Sequence, residues 1–130
     1  MEREPEHYLD ELAHRVIGAA IEVHRHLGPG YLESVYQEAM EIELRIQGIP
    51  FVPQKPVAVS YKGHPVGEGR LDFLVADHLV VELKAVDKLA EIHKAQVISY
   101  LKATNLHLGL LLNFHANVLK NGIQRVIRSA

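Results

Sequence analysis

Three charged residues stand inside otherwise apolar, β-branched runs in the stretch RLDFLVADHLVVELKAV, residues 70–86: Asp72, Glu82 and Lys84. A charged side chain in a buried strand costs several kcal/mol unless a partner, hydrogen bonds or a metal compensates. Strand alternation puts Glu82 and Lys84 on one face with Val81, Leu83 and Ala85 on the other, and Arg70 and Asp72 on one face with Leu71, Phe73 and Val75 opposite. A three-residue loop at Ala76, Asp77 and His78 pairs Val75 with Leu79 and, counting back, Asp72 with Glu82, which gathers the charges on one face and the apolar residues on the other. A slip by one residue would set Asp72 across from Leu83 and mix the faces. Opposed carboxylates, about 4.5–5.5 Å apart at Cβ, repel each other, and a cation between them reverses the sign. Two carboxylates with flanking backbone carbonyls suit Mg²⁺ or Mn²⁺, ions that keep several waters and bind substrate phosphates. Lys84, on the face of Glu82, could then orient a water and stabilise charge developing on a phosphate under attack. The alternative for the same residues is a solvated sheet face with a cross-strand salt bridge, worth about 0–1 kcal/mol.

The elements that must position these residues follow from periodicity. Leu9, Leu12, Ala13, Val16, Ile17, Ala20, Val23 and Leu27 recur at helical spacing and predict a first amphipathic helix over 8–27, ended by the Gly28-Pro29-Gly30 turn. A second helix is predicted over 31–47, with Leu32, Val35, Tyr36, Ala39, Ile42 and Ile46 inward and Glu41 and Arg45 as an exposed i, i+4 pair. After Gly48 the period changes to that of strands. Three prolines in FVPQKPVAVSYKGHP, at 53, 56 and 65, confine the predicted strand to 57–61 and favour an edge position, and KGHPVGEG reads as a turn region. Strands follow over 70–75 and 79–86, then a third helix over 88–103 with Asp87 as N-cap. HLGLLLNF suits a buried strand, and GIQRVIR a last strand or a short helix. No repeat, low-complexity tract or linker interrupts the order, so the expectation is one α/β layer domain over residues 1–130.

Composition narrows the chemistry. The chain has 130 residues, 48% hydrophobic and 23% charged, as expected of a packed globular domain. It has no cysteine, which excludes disulfides, thiolate catalysis and cysteine-held metal centres. The acidic start MEREPEHYLDEL lacks the blocks of a signal peptide, and no apolar run reaches membrane-spanning length, so a cytoplasmic protein with no membrane association is expected. A net charge of −2 gives no overall basic field, so phosphate binding must come from a local patch or a metal. Nine histidines form no HExxH pattern, and neither GPG nor GEGR is followed by the Lys-Ser or Lys-Thr of a phosphate loop. Lys88, Lys94 and Lys102 read as a solvated helix face.

Asp72, followed by Glu82-Leu83-Lys84, resembles the Asp, then Glu-x-Lys signature of the PD-(D/E)xK nuclease superfamily, and the element order around it is similar to that superfamily's core. GYLESVY, with Gly30, Glu33 and Tyr36, resembles the pattern that names the small GxxExxY proteins, and the likeness continues through VELKAV and HKAQVISYLKAT to LGLLLNF. The resemblance implies a restriction-endonuclease-like three-layer core over residues 28–130, a mixed β-sheet flanked by helices, with an added amphipathic helix over 1–27. It implies Mg²⁺ or Mn²⁺ bound by Asp72, Glu82, Glu33 and the carbonyl of Leu83, and a catalytic role for Lys84 with Gln96. Tyr100 would join Gln96 near the substrate; His93 lies i, i+3 to Gln96, so one helical face could present all three. The expected activity is metal-dependent hydrolysis of phosphodiester bonds in DNA or RNA, in a possible homodimer. The alternative is a non-catalytic module of the same fold that binds a partner protein or nucleic-acid ends.

Overall fold

A computed structural model of the chain describes residues 3–129. Two helices, α1 (Arg3–Leu27) and α2 (Glu33–Ile46), precede three strands, β1 (Phe51–Tyr61), β2 (His64–Val75) and β3 (Leu79–Lys84). Helix α3 (Glu91–Thr104) then crosses to β4 (Leu108–Asn113), and a 3-10 turn (Leu119–Gly122) leads into β5 (Ile123–Ile127). The strands lie in the order β1-β2-β3-β4-β5, antiparallel throughout except for the parallel β3–β4 pair that α3 connects. Helices α1 and α2 cover one face through Leu12, Val16, Val23, Tyr36, Met40 and Leu44, packed on Phe73, Val81, Leu83 and Leu110. Helix α3 covers the other through Val97 and Leu101, packed on Leu71, Val80 and Leu111. This is the expected mixed sheet between helical layers. The central strands β3 and β4 are buried on both faces, which explains why LVVELK and LGLLLN read as near-continuous apolar runs.

The structure corrects several sequence-based expectations. Helix α1 begins at Arg3 rather than 8. Helix α2 buries Tyr36, Met40 and Leu44, while Leu32, Val35, Ile42 and Ile46 lie exposed, so the predicted inward face is rotated. The segment expected as a turn is mostly strand: β1 and β2 form a long hairpin that turns only at Lys62-Gly63, where both residues have positive φ. Pro53 and Pro56 fit because β1 is an edge strand, as expected, and Pro65 lies in β2 outside the stretch that pairs with β3. Strand β3 ends at Lys84, and α3 starts at Glu91 with Ala90, not Asp87, at its N-cap. Asp87 is instead paired with His115 at 3.3 Å. The C-terminal alternative resolves as a strand.

Candidate active site

The β2–β3 hairpin has the expected register, with Val75 opposite Leu79, Leu74 opposite Val80 and Phe73 opposite Val81. The regular ladder stops there, at the position where Asp72 would face Glu82. The acidic side chains complete it: the Asp72 N–H donates to Glu82 Oε2 at 2.7 Å, and the Leu83 N–H donates to Asp72 Oδ2 at 2.8 Å. Each carboxyl group thus accepts a backbone donor from the opposite strand, a bond that offsets part of the burial cost and is strongest when the group is ionised. The Asp72 carbonyl accepts from Gln37 Nε2 on α2 at 3.3 Å, and Asp72 Oδ1 from Gln54 Nε2 on β1 at 3.4 Å.

Asp72 also marks a change of face. Leu71 belongs to the core under α3, whereas Phe73 and Val75 belong to the core under α1 and α2. Simple alternation, which put all three on one side, is therefore wrong at this point. Gln54, the β1 residue between Pro53 (opposite Phe73) and Lys55 (opposite Leu71), has φ +51°, so both hairpin strands are irregular together. Nor does the charged face exclude apolar residues, since Val80, in register with Glu82 by alternation, is fully buried under α3.

Burial dominates the electrostatics. Glu82 is only 3% exposed. Desolvation, then the neighbouring charge of Asp72, pushes its carboxyl up to about 8, against the Asp72 N–H bond and the charge of Lys84. Asp72 is raised by desolvation, opposed by the Leu83 N–H, Gln54 and Lys84. Glu33, at the start of α2, is an exposed residue whose carboxyl nevertheless is raised, first by desolvation and then by Asp72, while Lys84 lowers it. The three carboxyls therefore share one field.

Lys84 Nζ lies 3.4 Å from Gln96 Oε1 on α3. Among the described residues no ion pair joins Lys84 to either carboxylate, contrary to the cross-strand salt bridge considered above. Tyr100, one turn beyond Gln96, packs over the backbone of Gly69 so closely that a Cβ there would lie 2.6 Å from Tyr100 Cε1. His93 is engaged at the start of α3, where its Nδ1 accepts the Ala90 N–H at 2.9 Å. The Lys84 carbonyl accepts from the Phe114 N–H on the β4 side, so by strand alternation the Leu83 carbonyl points with its N–H toward β2 and the carboxylates.

The donors suit a hard dication. Asp72 and Glu82 are hydrogen-bonded through one oxygen each to a strand N–H, which leaves Glu82 Oε1 and the loosely held Asp72 Oδ1. Among the described residues no three His, Asp or Glu side chains converge on one point, so Glu33 does not close a third side. Two carboxylates without an all-protein cage is a common arrangement for Mg²⁺, which retains water and binds substrate phosphate.

Sequence reasoning missed Gln37 and Gln54, which hold Asp72, and Gly69, which admits Tyr100. An isolated Gln carries no sequence signal for such a role. Gly69, in GEGR, did carry one, because a strand glycine marks close approach. Tyr36 of GYLESVY has its role inside the fold: its hydroxyl donates to the Gly28 carbonyl at 2.5 Å and accepts the Tyr31 N–H at 3.2 Å, while its ring stacks on Phe114 at 4.7 Å. It fastens the turn that delivers Glu33.

In comparison with protein families, residues 10–126 match the PD-(D/E)XK nuclease superfamily. No curated protein and no solved structure matched. No described helix is long and apolar enough to cross a membrane.

Proposed function

Because the chain belongs to the PD-(D/E)XK nuclease superfamily, we propose that it is a divalent-metal-dependent nuclease acting on phosphodiester bonds of DNA or RNA. The observation that carries this reading is the crossed pair of carboxylates, Asp72 and Glu82, with the Lys84 ammonium beside them and bound to Gln96. Asp72 and Glu82 would hold Mg²⁺ or Mn²⁺, with the Leu83 carbonyl on the same side and Glu33 as an outer acidic group. When bound, such an ion polarises the scissile phosphate and acidifies water. Lys84 orients the attacking water in line with the leaving oxygen and stabilises the charge that builds on the phosphate. Gln96 positions Lys84, and Tyr100 and His93 extend the α3 side toward the nucleic-acid backbone. Gly30, Glu33 and Tyr36 support assignment to the GxxExxY branch of the superfamily.

The alternative is a non-catalytic module of the same fold that binds a partner protein or nucleic-acid ends. Incubation with Mg²⁺ or Mn²⁺ and single-stranded DNA, duplex DNA and RNA separates the two. Cleavage is expected on at least one substrate, with a loss of about 100-fold or more in Lys84→Ala while Mn²⁺ affinity is unchanged or raised by removal of a positive charge. Wild-type rates in Lys84→Ala would remove the proposed role of the lysine, and no cleavage on any substrate would favour the module.

A further inference from the structure

The outward side of α2 carries a row of exposed apolar side chains. Leu32 is 77% exposed, Ile46 71%, Ile42 55% and Val35 36%. With Ala39 between them, these residues follow steps of three, four, three and four, the a/d spacing of a coiled-coil seam. Tyr36, Met40 and Leu44 point into the core from another side of the helix; Ala39 touches that core as well, while Leu32, Val35, Ile42 and Ile46 stay exposed. A lone exposed leucine needs no explanation, but a stripe running the length of a helix does.

The charges beside the stripe specify its occupant. Glu38 and Arg45 lie seven residues apart and flank the seam on the same side, while Glu43 flanks it on the other. In a parallel pair of copies Glu38 would meet the partner's Glu43, a like-charge contact. In an antiparallel pair Glu38 meets the partner's Arg45, and the two-fold axis repeats the contact. The antiparallel layers also match in size, with Ile46 against the partner's Val35 and Ile42 against the partner's Ala39.

We propose that α2 is the interface of an antiparallel homodimer, with Val35, Ala39, Ile42 and Ile46 of both copies forming the seam and Leu32 flanking it at each end. The stripe spans 14 residues of helix, about 21 Å, a short contact that gives a weak, concentration-dependent dimer. Gln37, which bonds the Asp72 carbonyl, lies away from the seam. Dimerisation therefore leaves both candidate sites open and sets the two copies of Glu33 about 22 Å apart along the helix axis. The proposal is independent of the nuclease reading.

Sedimentation analysis from about 1 to 500 µM, a range matched to weak interfaces, tests it on the full chain. Wild type should pass from monomer to dimer. Ile42→Glu, at an exposed position, should raise the dissociation constant by about 10-fold or more without changing the melting curve. Glu38→Arg and Arg45→Glu should each weaken association, and the double reversal should restore it. Arg45 also leans on Glu41 at 3.5 Å, so melting is followed alongside to separate association from helix stability. A monomer at every concentration, a dimer indifferent to Ile42→Glu, or a double reversal no better than either single change would each overturn the proposal.

Discussion

With its pKa pushed up to about 8, the Glu82 carboxyl acquires its charge only as pH rises toward that value, while Oε2 accepts the Asp72 N–H. The neighbouring charge of Asp72 is the second cause of that shift, after burial. A glutamine at this position keeps a carbonyl oxygen for the Asp72 N–H, removes the buried charge and relieves the repulsion. Lys84 is bound to Gln96 rather than to Glu82, so the change strands no cation. Glu82→Gln in chelator at about pH 8 should therefore raise stability by about 1 kcal/mol, a few degrees in Tm. Wild type should gain about 1.4 kcal/mol when free Mn²⁺ reaches ten times its Kd, and the mutant should lose most of that gain. A mutant less stable than wild type in chelator, beside a wild type that ignores metal, would sink the metal-site reading. These acidic residues were legible in the sequence because charge inside a β-branched run is anomalous. Their bonding was not, because a strand pattern gives register but does not tell where side chains replace the ladder.

Helix α2 shows how far an element can be read from its pattern. It carries two apolar stripes, Leu32, Val35, Ala39, Ile42 and Ile46 at heptad spacing, and Tyr36, Met40 and Leu44 at four-residue spacing. Periodicity establishes the helix but cannot choose between them. Tertiary contacts choose the second, through Tyr36 stacked on Phe114. The hairpin was hard to read for a related reason. Its prolines and glycines signal turns, yet β1 is an edge strand and β2 pairs regularly with β3 only over Phe73–Val75, so most of the arm needs no second neighbour. The hairpin register from Val75 to Phe73, the edge position of β1 and the burial of β4 did follow from the short loop, the prolines and the apolar run, while alternation failed at Asp72. Tyr36 gives a test at this scale. Its hydroxyl bridges Tyr31 and Gly28 across the turn before α2, and Tyr36→Phe leaves the Gly28 carbonyl without that donor. The change should cost about 1–2 kcal/mol of stability while retaining the ring and its stacking. An unchanged Tm would show that the hydroxyl does not fasten the turn.

For the molecule as a whole, elements from three parts of the chain bring Glu33 into the field of Asp72 and Glu82, and all three carboxyls are raised, desolvation first among the causes. In the unfolded chain these groups titrate near their ordinary values of 3.8 and 4.5. Above those values the folded protein binds more protons than the unfolded one, so stability is greatest at the acidic side and falls as pH rises toward about 8, the folded value of Glu82. A bound dication reverses this, since it requires the deprotonated ligands that the metal-free protein disfavours. The Tm in chelator should therefore decline between about pH 5.5 and 8.5, and the increase produced by Mn²⁺ should grow over the same interval. Glu82→Gln isolates the site, because it leaves every other ionisable side chain in place and should flatten both the decline and the growth of the metal effect. Melting curves for the two proteins at about four pH values, with chelator and with Mn²⁺, measure this directly. Curves that rise together with pH in chelator, or a metal increment independent of pH, would mean that the buried carboxyls do not govern the stability of the fold.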